Sequence, residues 1–140
     1  MLDGIVTMKA DRMAGLGIHF TLDGVADGGL KLSPMDVCGV FANGLDNAIE
    51  AAQKTLPDAW VHMEIRRTEK FFVIRISNST AGKIDADKIL SSSGYTSKKD
   101  TEHHGFGLRN IMDTVNKNDG ILKAEACDGK FRITVMIPRT

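Results

Sequence analysis

The chain has 140 residues, of which 42% are hydrophobic and 26% charged, and its formal net charge at pH 7 is zero. This length and composition suit one soluble globular domain with a sizeable core. The balanced charge, without any run rich in Lys and Arg, argues against a nucleic acid or an anionic membrane as partner. The apolar runs are too short to span a membrane, and the N-terminus lacks the apolar stretch of a signal peptide.

Cysteine and histidine usage does not indicate a metal centre. Cys38 and Cys127 lie far apart among apolar neighbours and have no CxxC partner, so we expect buried free thiols in a reducing cytosol. The adjacent pair His103 and His104 lacks the spacing of metal ligands, so we expect no zinc site there.

The first half of the chain predicts a helix, a strand and a second helix. The hydrophobic pattern predicts a helix over residues 2–14 and a strand over 16–24. Ser33 can cap the next helix, which should run to about Lys54. One face of this helix is apolar, and the polar residues are expected together on the opposite face, namely Asn43, Asp46, Asn47 and Glu50.

The second half is dominated by two hairpins. The β-rich segments 59–67 and 70–78 predict the first. Residues 79–104 form a long loop rich in Gly, Ser and Lys, with at most one short helix around 85–91, and such loops are usually functional or disordered. A helix over 107–118 precedes a final hairpin that turns at Asp128-Gly129. Helices covering one face of a mixed or antiparallel sheet, an α+β architecture, follow from this order.

Asn43 and Asn47 form the first candidate site. They are four residues apart on a predicted helix, so their amides lie one turn from each other on one stripe. Two amide oxygens so placed can coordinate a Mg²⁺ ion that also holds phosphates. The pattern alone leaves open a second interpretation, in which this stripe is simply a solvated polar face.

Three further motifs each allow a functional and a plain interpretation. In "HGFGL" (104–108), glycines before a helix let backbone N–H groups approach phosphate, or they form a tight turn. In "SNSTAG" (77–82), a strand-end Asn can hold a purine edge, or the segment is only a turn. In "SGYTSKKD" (93–100), Ser, Thr and Lys can close over phosphates as a lid, or they are solvated loop residues.

The order of these four motifs resembles the GHKL ATP-binding domain, which gyrase, the ninety-kilodalton heat-shock chaperone, MutL and sensor histidine kinases share. Within that group the chain looks most like the HATPase catalytic domain of bacterial sensor histidine kinases. The closest subgroup is the AgrC-like quorum-sensing type, whose members often combine "LDNAIEA", a "GYTSK"-like lid and "HGFGL". The resemblance covers about residues 16–138. It implies a two-layer α/β sandwich, the GHKL or Bergerat fold, with a mixed sheet covered on one face by helices.

The resemblance also implies roles for individual residues, with ATP and Mg²⁺ as cofactors. Asn47 matches the family's Mg²⁺-binding Asn, and Asn43 matches the residue that supports metal and phosphates. Asn78 stands where the family usually has the Asp that accepts from the adenine amino group. Gly82 matches the second glycine of that box.

The lid and the second glycine box supply the remaining matches. Thr96, Ser97 and Lys98 match the lid, and Asn43 and Lys98 are the expected catalytic residues. The second glycine box is matched by Gly105, Gly107 and Leu108.

Two positions depart from common members of the family. GHKL hydrolases and anti-sigma-factor kinases typically carry a Glu general base where this chain has Asn43, and because an amide is a poor base, transfer of the γ-phosphoryl is favoured over hydrolysis. At Asn78 the amide oxygen can still accept from the adenine amine, but without charge assistance the bond should be weaker.

We therefore expect residues 16–140 to be the ATP-binding catalytic domain, preceded over 1–15 by the end of a linker or dimerisation helix from a truncated upstream region. The γ-phosphoryl would pass to a His on a dimerisation domain absent from this chain. A response regulator and a homodimer of the full-length parent would complete this phosphorelay. The domain would be the cytoplasmic C-terminal part of a membrane-anchored kinase, would not contact the membrane directly, and would not autophosphorylate alone.

Two other functions remain open on the sequence. One keeps the fold but makes the chain an anti-sigma-factor-type serine kinase. The other is a degenerate GHKL domain that acts as an interaction module, which the altered first glycine box allows.

Overall fold

A computed structural model describes residues 2–24, 32–81, 106–127 and 129–139. Within these ranges the helices are α1 (Leu2–Leu16), α2 (Pro34–Val37), α3 (Asn43–Gln53) and α4 (Phe106–Lys117). The strands are β1 (His19–Asp23), β2 (Trp60–Arg67), β3 (Phe71–Ser79), β4 (Ile121–Cys127) and β5 (Lys130–Pro138). A segment of π-helix, Cys38–Ala42, joins α2 to α3.

The five strands form one mixed sheet in the order β1-β2-β3-β5-β4. The edge strand β1 pairs with β2 in parallel, and all other neighbours are antiparallel. Both predicted hairpins are therefore confirmed, and Gly129 adopts the positive φ of +73° in the second turn. The predicted α+β class and the mixed sheet are confirmed as well.

Strand alternation gives the sheet one face that the described helices cover and an opposite face. In β3 the buried residues Phe72, Ile74, Ile76 and Asn78 share the helix-covered face, because successive side chains point to opposite sides. Their neighbours in the core come from all four described helices and from the central strands; they include Met13, Val37, Leu45, Ile49, Met63, Leu108, Ile111, Ile133 and Val135. Burial of each large side chain contributes about 1.5–3 kcal/mol, so this layer holds the helices on the sheet.

The helix predicted over residues 2–14 is confirmed as α1, which extends two residues further. Met13 is fully buried, and Ile5 and Val6 pack against the core at its edge. No helix in the described part of the chain is both long and apolar enough to cross a membrane.

The predicted single helix from Ser33 to Lys54 is partly wrong. Its start is confirmed, because the Ser33 hydroxyl accepts from the backbone N–H of Asp36 at 3.1 Å. The helix does not continue unbroken, however, since the π segment interrupts it and the N–H of Asn43 bonds to the carbonyls of Cys38 and Val40. A π turn adds about one residue to the helical repeat. The side chains of α2, which precede it, are therefore rotated about the helix axis relative to those of α3.

The expected polar face of this helix is also partly wrong. Glu50 is exposed, but Asn47 is buried and Asn43 is partly buried. The reason is that α3 packs against the sheet on one side and against α4 and α1 on others, so its buried arc is wider than a single apolar stripe.

Both cysteines were expected to be buried, and both are exposed. Cys38 lies in the π segment, where the altered repeat turns it away from the core. Cys127 ends β4 at the edge of the sheet. Of the predicted loop over 79–104, residues 82–104 and the short helix around 85–91 lie outside the described ranges.

Candidate functional site

Asn47 carries the most unusual polar atom of the described chain. It shares a buried face of α3 with Gly44, Ala48 and Ala51, and its side chain is 7% exposed. Its Oδ1 atom is buried and accepts no hydrogen bond from the described residues. Leaving a buried acceptor unpaired costs about 1–3 kcal/mol. This oxygen therefore fits a ligand that the described residues do not supply, such as a divalent cation or an ordered water.

Asn43 lies one turn before Asn47 and is partly buried. Its Nδ2 atom donates to the carbonyl oxygen of Gly39 at 3.0 Å, which leaves Oδ1 as the accepting end of the amide. With the two residues four apart on one helix, two amide oxygens are offered one turn from each other. This donor set fits Mg²⁺, which prefers oxygen ligands and needs few from the protein.

Asn78 supplies a third amide, at the end of β3. It is 1% exposed and lies on the helix-covered face of the sheet. Its Nδ2 atom donates to the carbonyl oxygen of the following residue, Ser79, at 3.0 Å. Because that bond engages the donor end, Oδ1 is the end available to accept a hydrogen bond from a ligand.

The helix α3 and the strand β3, which carry these asparagines, approach each other closely. A Cβ atom added at Gly44 would lie 2.7 Å from Cδ1 of Ile76, so only glycine lets the helix come this near. Further along, the hydroxyls of Thr55 and Ser79 meet at 2.7 Å. Asn47 follows Gly44 by three residues on α3, and Asn78 lies between Ile76 and Ser79 on β3.

The second glycine box is described only at its C-terminal end. Gly107 lies in the first turn of α4, whose N–H groups have no partner within the helix. Leu108 is 1% exposed and belongs to the hydrophobic core. Its place in the core anchors the first turn of α4.

The other predicted site residues lie outside the described ranges. They are Gly82, Thr96, Ser97, Lys98 and Gly105. The described part of the site therefore consists of the three asparagines and the start of α4.

An acidic residue of α2, outside the four motifs, joins this helix to the end of α4. The carboxylate of Asp36, 5% exposed, accepts from Nζ of Lys117 at 2.8 Å and from Nδ2 of Asn118 at 3.1 Å. The hydrogen bond from Lys117 has the largest effect and that from Asn118 the next, and both lower the pKa of Asp36 below its ordinary value. The start of α2 is thereby fixed to the C-terminal end of α4.

A second ion pair connects α1 with α3. Asp46 accepts from Nζ of Lys9 at 2.7 Å and from Nη1 of Arg12 at 3.2 Å. The Asp46 side chain is 42% exposed, so such a pair contributes only about 0–1 kcal/mol. It nevertheless puts Asp46, the residue directly before Asn47, in contact with α1.

Comparison with known sequences decides the family. The sequence profile described as the GHKL domain matches residues 32–138, which is most of the chain. The chain belongs to the GHKL domain family. No curated protein sequence matches this GHKL domain significantly.

Solved structures agree with the family in fold. The catalytic domain of histidine kinase ThkA is 15% identical, with a TM-score of 0.80 over 99% of this GHKL domain and 92% of that chain. The Acinetobacter baumannii histidine kinase AdeS is 14% identical, with a TM-score of 0.70 over 99% of this chain and 62% of that one. The mycobacterial sensor histidine kinase MprB is 16% identical, with a TM-score of 0.69 over 98% and 93%. The fold is therefore that of histidine kinase catalytic domains.

In this GHKL domain, the motifs selected Asn43, Asn47 and Asn78; the structure places the first two one turn apart on α3 and the third near the end of β3, a strand against which α3 packs. The motifs did not select Asp36 and Lys117, because 81 residues separate them and neither belongs to a motif. One signal in the sequence is that Asp36 follows the capping Ser33 by three residues, which is typical of a capping box and indicates a local contact rather than one with α4.

Proposed function

We propose that this GHKL domain binds Mg·ATP and donates the γ-phosphoryl to a histidine on a dimerisation domain of a sensor histidine kinase. The observation that carries the proposal is the buried Oδ1 of Asn47, which has no donor among the described residues. GHKL membership implies ATP as the nucleotide, and the histidine kinase catalytic domains of similar fold favour phosphoryl transfer in two-component signalling.

Each described asparagine has a separate part in this proposal. The Oδ1 atoms of Asn47 and Asn43 would hold the metal, and Oδ1 of Asn78 would accept from the adenine amino group. A bound Mg²⁺ neutralises phosphate charge and orients the phosphate oxygens. Asn43, whose amide cannot remove a proton from water as a carboxylate can, makes hydrolysis a poor competitor of transfer.

The remaining assignments are proposed on sequence alone. Lys98, with Thr96 and Ser97, would neutralise phosphate charge from a lid. Backbone N–H groups near Gly82 and at Gly105 and Gly107 would approach the nucleotide, with Leu108 holding the start of α4 in place.

The wider context is proposed on the same basis. The segments "LDNAIEA", "GYTSK" and "HGFGL" favour the AgrC-like quorum-sensing subgroup. Residues 1–15 would then end a linker helix and 16–140 form the catalytic domain on the cytoplasmic side of a membrane-anchored homodimer. A response regulator would receive the phosphoryl group from the histidine.

Calorimetry with a non-hydrolysable ATP analogue, in excess Mg²⁺ and in EDTA, tests the proposal. We expect Asn47→Ala to remove the Mg²⁺-dependent part of the affinity and to leave the part measured in EDTA. Glu50→Ala is the matched control, because Glu50 is exposed on the same helix and should bind like the wild type. Absence of nucleotide binding by the wild type would contradict the proposal and favour a degenerate interaction module.

A further inference from the structure

The π segment before Asn43 changes which group bonds to Gly39. In an unbroken α-helix the backbone N–H of Asn43 would donate to the carbonyl of Gly39, four residues earlier. Here that N–H bonds to the carbonyls of Cys38 and Val40. The side-chain Nδ2 of Asn43 donates to the Gly39 carbonyl oxygen instead, at 3.0 Å.

This bond determines how the Asn43 amide is oriented. Only the NH₂ end of an amide can donate to a carbonyl oxygen, and the reversed orientation would bring two oxygens together. The Oδ1 atom is therefore directed away from Gly39. None of the described residues donates to Oδ1, so it remains available to a metal ion or a phosphate-bound water.

Gly39 itself is held against α4. A Cβ atom added at this position would lie 2.8 Å from Oγ1 of Thr114 and 3.6 Å from its Cβ and Cγ2 atoms. An alanine would consequently force the turn or Thr114 to move. The carbonyl that orients Asn43 thus belongs to a residue that fits beside Thr114 of α4 because it has no Cβ atom.

We propose that Gly39 is a positioning residue for Asn43, acting through its carbonyl oxygen, and that its place beside Thr114 requires the absence of a Cβ atom. The inference rests on the proposed binding of Mg·ATP. Disturbing the turn should therefore weaken the Mg²⁺-dependent part of nucleotide affinity and spare the part that does not need the metal. Residues that only orient a metal ligand typically change metal affinity by about 10-fold to 100-fold.

The test compares Gly39→Ala, Thr114→Ala and the double variant by calorimetry with a non-hydrolysable ATP analogue, in excess Mg²⁺ and in EDTA. We expect Gly39→Ala to lose about 10-fold of the affinity gained from Mg²⁺ and to match the wild type in EDTA. Thr114→Ala removes the Oγ1 and Cγ2 atoms that the added methyl would meet. The double variant should therefore recover most of the loss, and Thr114→Ala alone should bind like the wild type.

A second measurement needs only the folded wild-type chain. Nuclear magnetic resonance should show slower hydrogen exchange for the side-chain amide of Asn43 than for that of Asn110, which is exposed on α4. Equal exchange rates would overturn the inference, as would an equal loss of affinity in Mg²⁺ and EDTA, or a double variant that recovers nothing. Wild-type protein without any Mg²⁺-dependent binding would instead overturn the proposed function together with this use of Gly39.

Discussion

The carboxylate of Asp36 accepts a 2.8 Å hydrogen bond from Lys117, 81 residues further along the chain. The bond joins the start of α2 to the last turn of α4, and Asn118 adds a second donor at 3.1 Å. Since α2 leads through the π segment to the asparagines of α3, this contact helps to hold both motif-bearing helices in one arrangement.

The Asp36 contact predicts how stability depends on pH. Because the pKa of Asp36 is lowered on folding, its stabilising effect is complete well above its ordinary value of 3.8 and is lost as the pH falls from there through the lower pKa of the folded state. Asp36→Asn should lower the free energy of unfolding at neutral pH and should flatten this acid-side loss. Urea unfolding between neutral and acidic pH measures both effects. Glu50→Gln is the control. If Asp36→Asn lost as much unfolding free energy as the wild type when the pH falls, the prediction would be contradicted.

The close approach of Gly44 to Ile76 predicts a steric coupling between two positions. Gly44→Ala would place a methyl group 2.7 Å from Cδ1 of the buried Ile76, and such overpacking costs about 1–3 kcal/mol. This should exceed the gain of about 1 kcal/mol in helix propensity. In the Ile76→Val background, which lacks Cδ1, the same substitution should become neutral or stabilising. A double-mutant cycle of unfolding free energies checks this, and equal effects in both backgrounds would refute it.

The orientation of the Asn78 amide predicts that Asn78→Asp lowers the stability of the fold at neutral pH. Asn78→Asp loses the donor to the Ser79 carbonyl and turns a buried oxygen towards another, which costs about 1–3 kcal/mol at neutral pH. A protonated carboxyl can donate to Ser79 again, so the pKa of the new group should be raised and the deficit should shrink as the pH falls. The unfolding free energies of the variant and the wild type, measured from neutral to acidic pH, give this deficit. Equal stability at neutral pH would be the contrary result.

Because the accepting histidine is proposed to lie on another domain, we predict that this chain does not phosphorylate itself. Incubation with ATP radiolabelled at the γ-phosphate should leave no label on the protein, because the accepting histidine is proposed to belong to another domain. Calorimetry on the same preparation should show that the ATP analogue binds. Absence of label on the protein is then not due to a failure to bind nucleotide. Label retained on the chain would contradict the proposal.

The sequence predicted the secondary structure well where one physical signal dominates. Alternation and β-branched residues located both hairpins, and Ser33 with Pro34 located the start of α2. Periodicity was wrong for Cys38, because a constant 100° per residue does not hold across a π turn. It also left open whether Asn47 lies in solvent, since periodicity does not register that α3 is covered by helices as well as by the sheet.

The site was predictable in its residue types but not in its contacts. Asn43, Asn47 and Asn78 follow from motif order, yet the bonds that orient their amides involve the carbonyls of Gly39 and Ser79. Backbone carbonyls carry no residue-specific signal, so the sequence cannot indicate which of them receives a side-chain donor.

The exposure of Cys38 allows a fluorescent label to be attached next to Gly39, in the turn that precedes the proposed site. Its sulfur is open to solvent, while its backbone carbonyl accepts from the N–H of Asn43. After Cys127→Ser removes the other exposed thiol, a maleimide fluorophore can be attached at Cys38 alone. Its emission would report movements of the turn during titration with nucleotide, in real time and without a second labelled molecule.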